Sequence, residues 1–151
     1  MTFPRSFSRL LALILMTSPA LAKANIGDDL PTLRQRYGSV QPVGGEALFQ
    51  HDGYSICVYF DGAHAGMEVF CRDGSKKDKA GNVVTDITQD DIDAILAAEG
   101  EGLPWNQVTS HTGKPTWLRA DRKLVVRISE GTTPGEKYVT VMLNEKYANE
   151  K

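Results

Sequence analysis

The segment from Tyr54 to Cys71, YSICVYFDGAHAGMEVFC, constrains the fold most because its pattern is typical of a β-hairpin. Asp61-Gly62 in its middle favours a two-residue turn, since both central positions of a type I′ turn require positive φ. A turn at this dipeptide pairs Phe60 with Ala63 and makes one face of the hairpin apolar, with Cys71 on that face. The opposite face carries a mixed set of side chains: Ser55, Cys57, Tyr59, His64, Gly66, Glu68 and Phe70.

Both cysteines of the chain lie in this predicted hairpin. In the predicted register Cys57 lies opposite Gly66, so Cys71 is five residues further along the strand and on the other face. At the usual rise per residue, the two cysteines are about 17 Å apart. A disulfide requires Cα atoms within roughly 7 Å of each other. The sequence therefore predicts two free thiols and no disulfide.

A reactive thiol is the alternative interpretation of the same hairpin. His64 lies diagonal to Cys57 on the mixed face, where an imidazole favours the thiolate form of a cysteine. A small hydrolytic or thiol-dependent enzyme that uses Cys57 and His64 is therefore the alternative function. Such an enzyme also needs a group that orients the histidine and donors for an oxyanion, and a flat strand face predicts no cleft for them. We therefore predict no catalytic residues.

Metal and cofactor sites are not predicted. The residues that could bind zinc contain no close pair such as CxxC or HxxxH: His51, Cys57, His64 and Cys71. Three aspartates crowd the start of one predicted helix, where the positive end of the helix dipole favours carboxylates: Asp90, Asp91 and Asp93. Because the helix start accounts for these carboxylates, we expect no metal and no cofactor.

Two segments have the start and stop signals of helices. GDDLPTLRQRYG has Asp28 or Asp29 as the N-cap residue and Gly38 as the C-terminal stop. DITQDDIDAILAAEGEG has Thr88 as the N-cap residue, an acid three positions later as in a capping box, and Gly100 as the stop. Both helices have one apolar stripe, so we expect both to pack on a sheet.

The C-terminal third of the chain predicts further strands. TWLRADRKLVVRIS is a hairpin pattern with three loop residues, Asp121 to Lys123. This loop places one set of side chains on the buried face: Leu118, Ala120, Leu124, Val126 and Ile128. It places the other set on the outer face: Trp117, Arg119, Val125 and Arg127. The segment from Tyr138 to Leu143 alternates and predicts a last strand.

Residues 1–24 have the layout of a secretory signal peptide. Two arginines precede an apolar run from Leu10 to Met16, which is shorter than the roughly 20 residues of a membrane span. Ala22 and Ala24 both fit the small residue that precedes signal cleavage. We therefore expect a periplasmic or secreted protein with no transmembrane segment after signal removal, and one domain formed by residues 25–151.

The net charge argues against nucleic acid as a partner. The formal charge is -2 for the whole chain. Removal of the predicted signal, with its two or three basic residues, makes the mature chain more acidic. A mildly acidic protein without a basic stripe is a poor ligand for phosphate backbones.

Several stretches, in order, resemble a group of small exported bacterial proteins of unknown function: GDDLPTLRQRYG, HDGYSICVYFDG, ITQDDIDAIL and LPW, followed by the final strands. More distantly, a helix ahead of a twisted antiparallel sheet is similar to β-lactamase-inhibitor-protein-like domains and to the small lipoprotein of the outer-membrane assembly machinery. The resemblance implies a module that binds proteins. This chain lacks the lipoprotein cysteine and shows one such unit, where the inhibitor has a tandem pair, so no functional residue is carried over.

Together these patterns predict an α+β fold, with an antiparallel sheet of about five strands and two helices packed on one face. The outer face supplies a candidate surface for a partner, because aromatic and arginine side chains are enriched in interface hot spots. Its residues are Tyr59, Phe70, Trp117, Arg119 and Arg127. The predicted function is non-catalytic binding of another envelope or secreted protein.

Overall fold

The computed structural model describes residues 26–110, 112–132 and 134–145, and the strands in these ranges form one antiparallel sheet. The predicted signal segment lies outside these residues. The elements in chain order are α1 (Leu30–Tyr37), β1 (Val40–Val43), β2 (Glu46–His51), β3 (Tyr54–Asp61), β4 (His64–Arg72), α2 (Gln89–Glu99), β5 (Trp105–Thr109), β6 (Pro115–Arg119), β7 (Leu124–Glu130) and β8 (Lys137–Leu143). The spatial order of the strands is β1-β2-β3-β4-β8-β7-β6-β5.

The predicted α+β fold with about five strands is wrong. Across the described residues the sheet has eight strands, and the two helices have 8 and 11 residues, so the fold is mostly β. The prediction missed three strands, β1, β2 and β5, of which β1 and β5 are the sheet edges, because Gly, Pro and turn residues around them favour loops. An edge strand tolerates such residues, and Pro42 pairs with Ala47 from the edge position of β1.

The order of elements repeats once along the chain. A helix followed by four antiparallel strands occurs first as α1 with β1 to β4, and again as α2 with β5 to β8. The two halves join at the centre of the sheet, where β4 pairs with β8 from Met67↔Met142 to Phe70↔Val139. The sequence predicted one such unit, and the structure corrects this to two that share one sheet.

The hairpin of β3 and β4 is present, but its predicted register is wrong. Asp61 pairs with His64, so Gly62 and Ala63 form the turn, and glycine with a φ of 63° at the first central position is typical of a type II′ turn. A bulge between Tyr59 and Phe60 shifts the strand pairing by one further residue. From Met67 onward the total shift is odd, so this part of β4 presents the opposite set of side chains to the core, whereas Ala65, before the bulge, is buried as predicted.

The hairpin of β6 and β7 also differs from its predicted register, by one residue. Trp117 pairs with Val126 and Leu118 with Val125, which makes the loop four residues long. Arg122 in this loop has a φ of 61°. Trp117 therefore shares the face of Val126, which is fully buried, whereas the sequence had placed Trp117 on the outer face.

The core lies between the two helices and one face of the sheet. Helix α1 starts at Asp29, whose side chain accepts a hydrogen bond of 2.9 Å from the Thr32 backbone N–H, and α2 starts with a capping box at Thr88. Both predicted helix starts are confirmed. The side chains that fill the core include Leu33, Phe49, Ile56, Val58, Ile92, Ile95, Val126, Val139 and Val141. Neither described helix is long and apolar enough to cross a membrane.

Candidate functional site

A cleft of about 230 Å³ lies between α2 and the sheet half formed by β2 to β4. Its walls are mostly aromatic, aliphatic or alanine side chains: Tyr54, Ile56, Phe70, Ala94, Ile95 and Ala98. Tyr37 from the end of α1, His51 and Asp52 from the end of β2, and Glu99 from the end of α2 complete the lining. The cleft is thus an apolar space with a few polar groups, which is the usual composition of a ligand site.

Glu99, the last residue of α2, is fully buried and lines the cleft. Neither of its carboxylate oxygens has a hydrogen-bond partner among the described residues. Burial, and next the nearby charge of Glu68, raise the pKa of Glu99 well above its usual value. Glu99 follows Ile92 and Ile95 at positions i+7 and i+4, so it continues the apolar stripe of α2, a sequence signal that could have predicted its burial.

Glu68 lies on β4 opposite Val141 and is also fully buried. The Tyr37 hydroxyl donates a hydrogen bond of 2.9 Å to Glu68 Oε2, while Oε1 has no partner within the described part of the chain. Burial raises the pKa of Glu68 to about 7, and the hydrogen bond from Tyr37 opposes this shift. The sequence placed Glu68 on the mixed outer face, and the shifted register of the hairpin is the reason for its burial.

The two arginines that act electrostatically on Glu99, Arg36 and Arg119, bind other carboxylates. Arg36 forms an ion pair with Asp28. Arg119 donates to Asp121 Oδ2 at 2.8 Å and to Glu101 Oε2 at 3.0 Å. Its Nη1 atom also donates to the main-chain carbonyl of Glu99 at 3.2 Å. The carboxyl groups of Glu68 and Glu99 therefore remain outside the ion pairs that surround them.

A second buried network fixes α2 against the sheet beside the cleft. Arg72 of β4 forms an ion pair with Asp91 of α2, and the Tyr54 hydroxyl donates to Asp91 Oδ1 at 2.8 Å. The Arg72 guanidinium also lies 4.5 Å from the centroid of the Tyr54 ring, within the range of a cation–π contact. The sequence explained Asp91 as a capping residue alone, since the contact with Arg72 depends on the register of β4.

Hydrogen bonds set the ionisation of Asp91. Burial opposes ionisation, but hydrogen bonds from the Thr88 backbone, Arg72, Tyr54 and the Thr88 side chain outweigh it and lower the pKa of Asp91 to about 2. The Thr88 hydroxyl donates to Asp91 Oδ2 at 2.9 Å. Asp91 is therefore a charged residue in the same interior that favours the neutral form of Glu68 and Glu99.

The predicted partner surface is not assembled as the sequence placed it. Three of its residues lie on the helix-covered face and are buried, with exposed fractions of 5–8%: Phe70, Trp117 and Arg119. Tyr59 and Arg127 do lie on the outer face, but β4 and β8 separate their strands. The odd shift in one hairpin and the one-residue shift in the other account for the three buried residues.

Cys57 and His64 are not brought together. His64 lies at the tip of its hairpin, opposite Asp61, whereas Cys57 pairs with Val69, about 17 Å further along β4. The Cys57 thiol donates to Glu46 Oε2 at 3.4 Å, and burial raises its pKa, which disfavours the reactive thiolate.

The two cysteines are closer than the predicted register allowed. Cys71 pairs with Ser55, so it shares a face with Cys57 and lies diagonal to it, at a typical Cα separation of about 7–8 Å. Both are free thiols. The predicted separation of the cysteines is thus wrong. No group of three potential metal ligands is found among the described His, Cys, Asp and Glu residues; His111 lies outside the described residues.

Comparisons with known proteins found no matching family model, no matching curated protein and no matching solved structure. The resemblance to exported and protein-binding modules therefore stays a prediction.

Proposed function

We propose that this protein is a non-catalytic binding protein, and that it holds one small, largely apolar molecule in the cleft beneath α2. The observation that carries the proposal is the apolar space of about 230 Å³. A cavity of about 150 Å³ lined by apolar side chains is large enough to bind benzene. The cleft therefore fits one aromatic ring with a short side chain.

The burial of the acids supports binding over catalysis. Glu68 and Glu99 are both fully buried. A carboxyl pair that catalyses hydrolysis flanks the bond that is cleaved and a water molecule. Glu99 lines the cleft and Glu68 does not, so the two acids do not flank a molecule bound there. The geometry of Cys57 and His64 does not support the alternative function, a small hydrolytic or thiol-dependent enzyme that uses these two residues.

Filling the cleft is expected to weaken ligand binding. Ala98 lines the cleft, so Ala98→Phe places a ring in the space that a ligand would occupy. We expect Ala98→Phe to weaken binding of 2-phenylethanol at least about tenfold, which is about 1.4 kcal/mol. The measurement is titration of the purified protein followed by NMR chemical shifts.

Ala97 provides the matched control, because it is exposed, is adjacent on α2 and does not line the cleft. Ala97→Phe should leave the affinity unchanged. Equal affinities for the protein and its Ala98→Phe variant would overturn the proposed site.

A second candidate function is binding of another envelope or secreted protein through the outer face of the sheet. One row of mostly apolar side chains crosses five strands on this face: Tyr59, Met67, Met142, Val125 and Leu118. Large apolar surfaces on a folded protein often mark a binding site for another protein. The predicted partner residues Tyr59 and Arg127 both lie on this face.

A charge in this row should prevent such an association. Met67→Lys is expected to remove the partner recovered by cross-linking in the native compartment, because burying an unpaired ammonium costs several kcal/mol. Val83→Lys is the control, since Val83 is 51% exposed and lies outside the row. Equal recovery with both variants would contradict this candidate function.

We also propose that the protein acts in the periplasm or as a secreted protein. The support is the arrangement of charged, apolar and small residues in positions 1–24. The intact mass of protein recovered from the exported fraction should correspond to a chain that starts at Lys23 or Asn25. Recovery of the uncleaved chain alone would contradict this proposal.

A further inference from the structure

We propose that the ligand of the cleft is a primary amine in its protonated form, with its ammonium group bound by Glu99 and its apolar group against Tyr54 and Phe70. This inference rests on the proposed function, because it names the chemical class of the molecule that the cleft holds.

The unpartnered acid at the end of α2 is the first observation. Buried polar groups in folded proteins are nearly always hydrogen-bonded, so an exception needs an explanation. Both carboxylate oxygens of Glu99, which lines the cleft, lack a partner among the described residues. An ammonium group carries N–H donors and no acceptor, so it can donate to both oxygens.

The sign of the surrounding charge is the second observation. The groups that act electrostatically on Glu99 are Glu68, Asp28, Arg36 and Arg119. Both arginines are bound to other carboxylates, and the Tyr37 hydroxyl already donates to Glu68. The acids that remain can accept a cation, whereas an anionic ligand would meet two carboxyl groups of its own sign.

The lining and volume of the cleft determine which apolar group the ligand can carry. The walls formed by Tyr54, Phe70 and Ile95 favour an aromatic or aliphatic group, and the volume limits it to about one ring and a short chain. A primary arylalkylamine such as phenethylamine has this size and polarity. A lysine-like chain with a second charge would leave that charge in the apolar part of the cleft.

Binding of the cation is coupled to release of a proton. In the empty cleft burial favours the protonated form of the two glutamates, and the ligand favours the ionised form. One ammonium ion enters and one proton leaves a glutamate for solvent, so the charge within the site is conserved. The affinity should therefore rise with pH, by at most about tenfold per unit while one proton is released. The other ionisable groups around the site are Tyr37, His51, Asp52 and Tyr54 in the lining, and Asp28, Arg36 and Arg119 near Glu99.

The test compares phenethylamine with its neutral analogue 2-phenylethanol on the purified protein at about pH 8, by calorimetry or NMR titration. We expect the amine to bind at least about tenfold more tightly than the alcohol. The Glu99→Gln variant keeps the shape of the side chain and removes its charge, so it should bind the amine and the alcohol with equal affinity. Asp90→Asn is the control, since Asp90 is exposed on the same helix and does not line the cleft.

The outcomes distinguish failure of the amine inference from failure of the proposed binding function. If the alcohol binds as tightly as the amine, or if Glu99→Gln retains the preference for the amine, the inference is wrong and the cleft remains a binding site. If neither compound binds at millimolar concentration, both proposals fail. Binding of the alcohol to Glu99→Gln shows that the variant is folded, and Glu68→Gln serves as a second variant with the same expected direction.

Discussion

Replacing Asp91 with alanine is expected to destabilise the protein by about 3–5 kcal/mol. The change leaves Arg72 as a charged group without its partner, and the Arg72 side chain is only 1% exposed. It also removes the acceptor for the Tyr54 hydroxyl and the capping interaction with Thr88. Small domains have a total stability of roughly 5–15 kcal/mol, so a loss of this size is large.

The measurement is urea denaturation of the protein and of two variants, Asp91→Ala and Asp90→Ala. Asp90 is the neighbouring aspartate in the first turn of α2 and is exposed, so its loss should cost no more than about 1 kcal/mol through the helix dipole. A loss below about 1 kcal/mol for Asp91→Ala would contradict a structural role for the buried ion pair.

Asp91 should also make the protein sensitive to acid. Its pKa is about 2 in the folded state and lies near 4 in an unfolded chain. Its contribution to stability is therefore fully present above about pH 4 and is lost as the pH falls toward about 2. This window does not overlap with the titration of the buried glutamates, so the two effects can be measured separately.

The helices could be predicted from the sequence because their signals are local. Asp29 and Thr88 each satisfy a backbone N–H three residues away, and Gly38 ends α1 with a positive φ of 89°. A cap depends on residues within one helical turn, which a single sequence displays directly.

Strand registers could not be predicted because a few turn residues decide them. The choice between a turn at Asp61-Gly62 and one at Gly62-Ala63, together with one bulge, determines which face of β4 is buried. One additional loop residue likewise determines which face of β6 is buried. Phe70, Trp117 and Arg119 were assigned to the wrong face for this reason.

The cleft was beyond prediction for a different reason. Its polar groups and the acid behind them come from three elements that are distant in sequence. Tyr37 ends α1 and Glu99 ends α2, and both line the cleft, while Glu68 of β4 accepts the hydrogen bond of Tyr37. Their proximity depends on the pairing of β4 with the neighbouring strands and on the docking of both helices. The local sequence around each residue indicates burial at most, and only for Tyr37 and Glu99.

Replacing Glu99 with methionine is expected to stabilise the protein at about pH 8, by about 1–4 kcal/mol. Methionine has a similar volume and removes a carboxyl group that is fully buried without a hydrogen-bond partner among the described residues. The same substitution at Glu130, whose side chain is 73% exposed, should change stability by less than about 0.5 kcal/mol. Urea denaturation at two pH values measures both effects.

The pH dependence of the unmodified protein follows from the same burial. Folding raises the pKa of Glu68 to about 7, so the folded state favours the protonated acid. Its contribution to stability is fully present below about pH 4 and is lost as the pH rises through about 7. From about pH 5 to pH 8 the free energy of unfolding should fall by roughly 3 kcal/mol through Glu68, and Glu99 acts in the same direction.

The buried acids would therefore reduce stability under the conditions in which they bind a cation best. If the buried acids bind a cationic ligand, phenethylamine should restore stability at about pH 8. It should have little effect at about pH 5, where the acids are protonated. Glu99→Met should reduce the pH dependence to the contribution of Glu68 and should abolish the stabilisation by the amine. A protein that becomes more stable from about pH 5 to pH 8 would contradict the burial of Glu68 and Glu99 as neutral acids.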